Sequence, residues 1–370
     1  MINFIFKFFF VLKVIIFFIF ARFLYDKYNK SEIKPFFSFD KNLLGGPVVR
    51  TRRLKQEFGN YVYNFNVIYA QSYWSSLELE LLYKLKKKIN IPIIFNQNGW
   101  YYDGWYTGNS EKKNKLLIKI QKISDLVIYQ SNFCKNASKQ LNNFIAKNNI
   151  VLHNGVPQYY LSNKKKLNKN INIFVIGYFN ESTNFRKKND NISHIFNPAV
   201  EALYEIAIKK NKKNIFLNFI GINNNYFKFT KNKIIKNKFN ELYKYGFIKF
   251  NKPYKTKGEY LEILKKIDIS LHLKYKDPCP NAVLERLSFG IPHIYSNSGG
   301  TPELINDGGI GINVDDVWDT QLSVNTKILE QNIFKIIENY ENYSSNAYMQ
   351  SKKFTWEAYI NDHKKIFNKL

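Results

Sequence analysis

The chain has 370 residues, more than one ordinary domain holds, so two domains of roughly 150 residues each are expected. Hydrophobic residues make up 45% of it and aromatics 17%, which excludes a disordered chain. Its two cysteines, Cys134 and Cys279, lack a C-x-x-C or a histidine at ligand spacing, which excludes a disulfide framework and argues against a zinc site. The 56 Lys and Arg against 29 Asp and Glu give a formal charge of +27. That charge calls for an anionic surface or partner, although lysines scattered among Asn, Ile, Phe and Tyr are also what a compositional bias produces.

Residues 1–25, MINFIFKFFFVLKVIIFFIFARFLY, form an apolar run broken only by Asn3, Lys7, Lys13 and Arg22. Its length is that of a membrane span, and Lys13 at its middle would cost roughly 2.5–3.5 kcal/mol. A cleaved leader would carry its charges before the apolar stretch and small residues after it, which this segment does not. Asn3, Lys7 and Lys13 share about a third of the helical circumference, so the helix can equally lie in the interface. Residues 1–30 are therefore expected to be a hydrophobic anchor helix, spanning or monotopic. The DKYNK that follows is the basic cytoplasmic flank expected of such an anchor.

Beyond it, short apolar runs alternate with helical stretches. Strands are expected at 36–39, 67–71, 93–97, 126–131 and 150–154, then at 171–177, 215–221, 248–250, 269–273, 293–296 and 310–314. Most are continuous β-branched or aromatic runs, the pattern of strands buried on both faces. Helices are expected near 47–58, 75–88, 111–123, 134–147, 198–210, 230–244, 256–267, 281–289 and 354–368. This alternation predicts an α/β fold of two doubly wound, Rossmann-like parallel-sheet domains facing across a cleft. The lysine-rich 164–170 reads as the linker between them. Expected boundaries are 31–163 for the first domain, 171–350 for the second, and 351–370 for a terminal helix that returns to the first domain.

Chemistry concentrates in residues 268–307, DISLHLKYKDPCPNAVLERLSFGIPHIYSNSGGTPELIND. A strand ends near Leu273 and a loop carries Asp277. A helix then begins with Asn281 as its expected cap, carries Glu285, and stops at Gly290–Pro292. A second strand delivers Ser298-Gly299-Gly300 to another helix, with Thr301 as the expected cap and Pro302 at its first position. Two carboxylates eight residues apart thus enter one region beside a Gly-Gly turn. The turn's amides open towards a helix N-terminus, a natural anion site. An ordinary βα turn with surface carboxylates is the alternative reading.

This segment resembles the signature of the retaining glycosyltransferase family four (group 1 glycosyltransferases), whose members have the GT-B fold. The acidic pair Asp277 and Glu285 and the turn Gly299-Gly300-Thr301-Pro302-Glu303 carry the resemblance, with Asp277 standing where the family usually has Glu. Also similar are Gly45-Gly46 leading into a helix with Arg50, Arg52 and Arg53, the Ser131 step, Asn154-Gly155-Val156 at the crossover, and the terminal helix beginning Phe354-Thr355-Trp356-Glu357. The resemblance implies that Glu285 binds the nucleotide ribose, that the Gly299–Thr301 amides cradle the donor diphosphate, and that Asp277 holds the donor sugar. Gly45 and Gly46 would approach the donor phosphate or the acceptor. The phosphate-binding Arg and Lys of the family have Arg186 and Lys187 as their best candidates. Asn98 takes the place of a histidine in many relatives, so its role would be positioning. The aromatic cluster Trp100, Tyr101, Tyr102, Trp105 and Tyr106 is a candidate acceptor surface, an interdomain plug or a membrane-facing patch.

The expected function follows from the resemblance: retaining transfer of a sugar from a nucleotide-diphosphate donor to a glycan or lipid-linked acceptor in cell-surface polysaccharide synthesis. The expected setting is the cytoplasmic face of a membrane, with no cofactor, no metal and no nucleic acid. The competing expectation is a non-catalytic basic protein that binds a membrane surface or polyanion on the same scaffold.

Overall fold

Runs such as Val67–Gln71 and Ile93–Gln97 have every residue buried, so no alternation marks an outer face; such strands need helices on both sides. In the computed structural model, which describes residues 2–26, 32–38, 46–157, 166–175, 193–220, 232–251 and 256–370, these runs form two units, each on one parallel sheet.

The first unit comprises Met1–Tyr101, Gly108–Asn154 and Ala358–Leu370. Its elements are α1 (Ile2–Leu24), β1 (Pro35–Phe36), α2 (Gly46–Phe58), β2 (Val67–Gln71), α3 (Ser76–Lys86), β3 (Ile93–Gln97), α4 (Ser110–Ile123), β4 (Leu126–Tyr129), α5 (Asn132–Asn142) and β5 (Asn149–Val151). The strands pair in sequence order, β1 to β5. Helix starts are specified locally: Ser75 and Glu78 make a reciprocal capping box on α3, and Ser131 caps α5 by accepting from the Cys134 amide.

Helix α1 packs one face on this unit. Val14, Phe17, Phe18 and Ala21, at i, i+3, i+4, i+7, are buried, and the Phe17 ring stacks on Phe36 at 4.2 Å. Ile16, Ile19, Phe20 and Phe23 form a second stripe at the same spacing, two residues on and so about 200° around the helix, and they are exposed. Among the described residues no helix is long and apolar enough to cross a membrane. Helix α1 is thus docked on this unit through one stripe, and its second stripe is exposed.

The second unit comprises Tyr102–Thr107 and Gly155–Glu357. Its elements are β6 (Ile171–Val175), α6 (Ser193–Tyr204), β7 (Ile215–Ile220), α7 (Lys233–Lys244), β8 (Ile248–Asn251), α8 (Lys257–Lys266), β9 (Ile269–His272), α9 (Asn281–Leu287), β10 (His293–Ser296), α10 (Thr301–Ile305), β11 (Gly309–Ile312), α11 (Thr326–Glu338) and α12 (Tyr340–Ser351). The strand order is β11-β10-β9-β6-β7-β8. Strands β6 to β8 run outward one way and β9 to β11 the other, so the order reverses between β6 and β9. Open α/β sheets bind ligands outside the carboxyl ends of strands at such a switch.

The chain passes between the units at Asn154–Gly155 and at Glu357–Ala358. The Val156 amide donates to the Phe354 carbonyl at 2.8 Å and the Trp356 amide to the Val156 carbonyl at 2.6 Å, so the chain enters and leaves this unit side by side. The last helix, α13 (Trp356–Phe367), packs in the first unit from Ala358 onward. Helices α11 and α12 occupy a stretch for which no helix was expected; Leu329, Ile333 and Ile336 of α11 and Tyr340 of α12 enter the core.

Candidate functional site

The loop after β9 lies at the strand-order reversal. Lys276 has φ +51°, which turns the chain sharply, and its amide donates to Ser298 Oγ at 2.7 Å. The Gly300 amide donates to the Asp277 carbonyl at 2.9 Å. Gly299, at φ +73°, lies so close that a Cβ there would sit 2.5 Å from the Asp277 carbonyl oxygen. The acidic loop and the Gly-Gly turn are therefore laced together through their backbones. Residues 277, 299 and 300 occupy one place.

The Lys276 side chain is buried and anchors the loop from behind. Its ammonium lies 3.6 Å from the centre of the Trp318 ring and pairs with Asp316. The neighbouring Tyr275 hydroxyl donates to the Asp315 carbonyl at 2.6 Å and accepts from the Val317 amide at 2.9 Å. Segment 102–107 joins the same structure: the Gly104 amide donates to the Trp318 carbonyl at 3.0 Å, and the Tyr102 and Trp318 rings meet edge-on at 5.3 Å. Part of the aromatic cluster thus supports the loop of the acidic residue, whereas Trp100 belongs to the first unit, where its indole donates to the Cys134 carbonyl.

Burial alone would push the Asp277 carboxyl up; Lys274, whose ammonium lies 2.8 Å from Oδ2, together with His272 and the Cys279 amide, holds it below the usual range. Asp277 is therefore ionised at neutral pH, an acceptor of hydrogen bonds and not an acid. His272 Nε2 is 3.8 Å away. Burial holds that imidazole down to about 4 despite Asp277, with Lys274 and Arg286 adding to the effect, so it is neutral. His194, in the first turn of α6, is likewise held at about 4 by burial and then by Lys274.

Helix α9 carries Glu285 out of the same loop. Its next residue, Arg286, is buried and donates to Ser270 Oγ at 2.8 Å and to the Phe174 carbonyl at 3.3 Å, which ties the helix to β9 and β6. Consecutive residues lie about 100° apart on a helix, so burying Arg286 turns Glu285 to the half-buried flank. There Glu285 Oε2 accepts from the Tyr260 hydroxyl of α8 at 2.9 Å. Two expected caps are displaced by one residue: Pro280 precedes α9 and Gly300 precedes α10, with Asn281 and Thr301 the first helical residues. Extended backbone at Pro280 and the turn at Gly300 set these starts without a side-chain cap. The Thr301 hydroxyl is left buried without a partner among the described residues.

In the first unit, Asn98 follows β3 and its amide donates to Ser72 Oγ at 2.9 Å. Its side chain meets Arg50 of α2, a guanidinium only 2% exposed. Gly46 begins α2; Gly45, Arg186 and Lys187 lie outside the described residues. Tyr260, Lys276 and Arg50 went unrecognised in sequence as parts of these sites. Their partners lie 21 to 104 positions away, and no local pattern signals them. Among the described residues no group of three or more His, Cys, Asp or Glu could hold a metal ion.

Residues 198–350 match the family model of glycosyl transferases group 1. No curated protein matches. Among solved structures, the chain is similar to Anabaena HepE in complex with UDP-glucose (14% identity, 92% of this chain and 100% of that one, TM-score 0.63). It is also similar to a glycosyltransferase from Rickettsia africae (16%, 90% and 84%, 0.59) and to sucrose-phosphate synthase from Thermosynechococcus elongatus (13%, 87% and 77%, 0.57). At such identities the likeness is one of fold, two parallel-sheet α/β domains of the GT-B kind.

Proposed function

We infer that the chain is a glycosyltransferase from the match of its residues 198–350 to the model of glycosyl transferases group 1. On that premise we propose that it transfers a sugar, with retention, from a nucleotide-diphosphate donor to a glycan or lipid-linked acceptor of a surface polysaccharide. The observation that carries this reading is the lacing of the Asp277 loop to Gly299–Gly300 at the strand-order reversal, with Glu285 on the helix that leaves it. In this reading the Gly299–Thr301 amides hold the donor diphosphate as negative charge develops on it, and ionised Asp277 accepts from hydroxyls of the sugar. Glu285, held by Tyr260, accepts from the ribose hydroxyls, and Asn98 positions the sugar. Arg186 and Lys187 are the proposed partners of the phosphates, so no metal or further cofactor is invoked. UDP and UDP-glucose, bound by the similar HepE structures, are the first donors to try.

The exposed stripe of Ile16, Ile19, Phe20 and Phe23 on α1, with exposed Lys13 and Arg22 beside it, supports seating on the cytoplasmic face of an anionic membrane, where a lipid-linked acceptor resides. The test is turnover of UDP-, GDP- and ADP-glucose by the full chain. Release of nucleoside diphosphate that collapses in Glu285→Ala supports the reading. Turnover of a donor that this variant leaves unchanged removes the site assignment.

A further inference from the structure

Helix α4 turns a face of one charge to solvent. Its buried residues, Asn114, Leu117, Ile120 and Gln121, share one side, and the other side carries Lys112, Lys115, Lys119 and Lys122, all exposed. The four lysines fall within about 80° of the helical circumference, centred about 170° from the buried side. Among the described residues one carboxylate reaches the stripe, Glu111, which pairs with Lys115 at 2.5 Å. Inward-turned lysines of this region have tasks in the fold: Lys113 Nζ donates to Ser76 Oγ of α3 at 2.6 Å, and Lys86 Nζ to Asp125 Oδ2 at 2.9 Å.

A lysine-rich composition by itself mixes lysine with other residues on every helix. It does so on α7 and α11, of similar length, whose exposed positions include Ile234, Asn237 and Tyr243, and Ile328, Gln331 and Glu338. On α4 every exposed residue after Glu111 is a lysine. Like charges three and four residues apart repel and weaken the helix that carries them, so the stripe does nothing for the fold.

The stripe looks the same way as the exposed apolar stripe of α1. Phe17 of α1 stacks on Phe36, which is in register with Ile68, and Ile68 with Ile93, so these residues share one face of the sheet. Gln97, four residues on from Ile93, points to that face again and accepts from Gln121 of α4 at 3.0 Å. Helix α3 packs against both α1 and α4. The three helices are therefore one layer on one side of the sheet, with Ile16, Ile19, Phe20 and Phe23 and the four lysines all on its outer surface.

We propose that this outer surface, with the α4 lysine stripe as its electrostatic half, is the seat of the first unit on an anionic lipid bilayer. The proposal rests on the membrane seating read above from α1 and is independent of the sugar-transfer chemistry. An apolar stripe beside a basic one is the two-signal arrangement that holds a protein on a membrane where either signal alone is marginal. A soluble polyanion would use the lysines and leave the apolar stripe in water, which is why a bilayer is the better occupant. Seated in this way, the sheet lies along the bilayer, and the carboxyl ends of its strands open parallel to the membrane plane.

The test is sedimentation of the full chain with phosphatidylcholine vesicles, with and without about 30% phosphatidylserine, at about 0.1 M salt. Each lysine near an anionic surface strengthens binding about 5-fold. Replacing Lys112, Lys115, Lys119 and Lys122 by Gln should therefore weaken binding to the anionic vesicles about 100-fold, with one lysine discounted for its pairing with Glu111. The melting temperature stays close to that of wild type, since Gln and Lys are equally good helix formers on an exposed face. Binding to vesicles without phosphatidylserine is weak and equal in the two proteins. A control with Lys212, Lys213, Lys244 and Lys266 of the second unit changed to Gln has the same net charge and should lose less than about 3-fold. An α4 variant that binds as tightly as this control would overturn the proposal. So would tighter binding of wild type to soluble polyphosphate than to the vesicles, which would make the stripe a polyanion site. The failures separate: if Phe20→Glu with Phe23→Glu abolishes binding and the α4 variant does not weaken it, the seating by α1 stands and this inference falls. A wild type that sediments with neither vesicle overturns the membrane reading itself.

Discussion

Replacing Gly299 by alanine tests whether the acidic loop and the Gly-Gly turn are one structure. At φ +73° a side chain costs about 1–2 kcal/mol from its own backbone. The new Cβ would also lie 2.5 Å from the Asp277 carbonyl oxygen, 2.7 Å from its amide nitrogen and 2.9 Å from the Lys276 carbonyl carbon. All three are backbone atoms and none can rotate aside, so overpacking adds about 1–3 kcal/mol. The sum is roughly 2–5 kcal/mol, which for a unit of this size lowers the melting temperature by about 10 °C. If the loop yields instead, it breaks the Gly300–Asp277 hydrogen bond and carries the carboxylate away. Stability is then partly recovered, but donor binding is lost. Gly246→Ala is the control: its φ is +76°, but nothing lies within 4 Å of the added carbon, so only the backbone cost of about 1–2 kcal/mol remains. Urea unfolding and nucleotide titration on both variants give the comparison. Gly299→Ala that matches Gly246→Ala in stability and wild type in nucleotide affinity would mean that the loop and the turn are independent.

Three further outcomes are expected. Tyr260→Phe removes the hydroxyl that holds Glu285 Oε2, so nucleotide affinity falls roughly 5-fold with little change in melting temperature; unchanged affinity in titration calorimetry would show that Glu285 needs no support. His194 and His272 are held near 4 in the folded chain against 6.5 when free, so between those values the unfolded chain binds more protons. Stability is therefore full above about pH 6.5 and falls towards pH 4, by about 3 kcal/mol for each imidazole; urea unfolding at pH 7.5 and 5 checks this, with a shallower slope in His272→Gln. Phe20→Glu with Phe23→Glu on the exposed stripe of α1 abolishes sedimentation with vesicles containing anionic lipid while leaving the melting temperature within about 1 °C; retained binding would place the membrane contact elsewhere.

The parallel sheets were legible because Ile269–His272, His293–Ser296 and their neighbours are short apolar runs between clear helix stops, a pattern few other structures tolerate. The order of Asp277, Glu285 and Gly299–Gly300 was legible for the same reason, since each is punctuated by Pro or Gly. Legibility ended where an interaction spans the chain. Lys276 looks like one more surface lysine until Trp318 and Asp316 close over it, and Arg50 like one of three arginines on a helix until amides from β2, β3 and the residue Asn154 surround it. Helix α1 showed its apolar character in sequence, but two equal stripes carry no label saying which one packs. Pro280 and Gly300 moved two helix starts by one residue because backbone conformation, and no capping side chain, decides them.

Calorimetric titration of UDP, GDP and ADP into the full chain and into Glu285→Ala asks whether residues 277–303 bind a nucleotide-diphosphate sugar. One diphosphate should bind wild type with 1:1 stoichiometry and bind the variant at least roughly 10-fold more weakly, the loss of hydrogen bonds to one carboxylate. Equal affinity in both proteins, or no heat with any of the three, would mean that these residues do not bind the donor nucleotide.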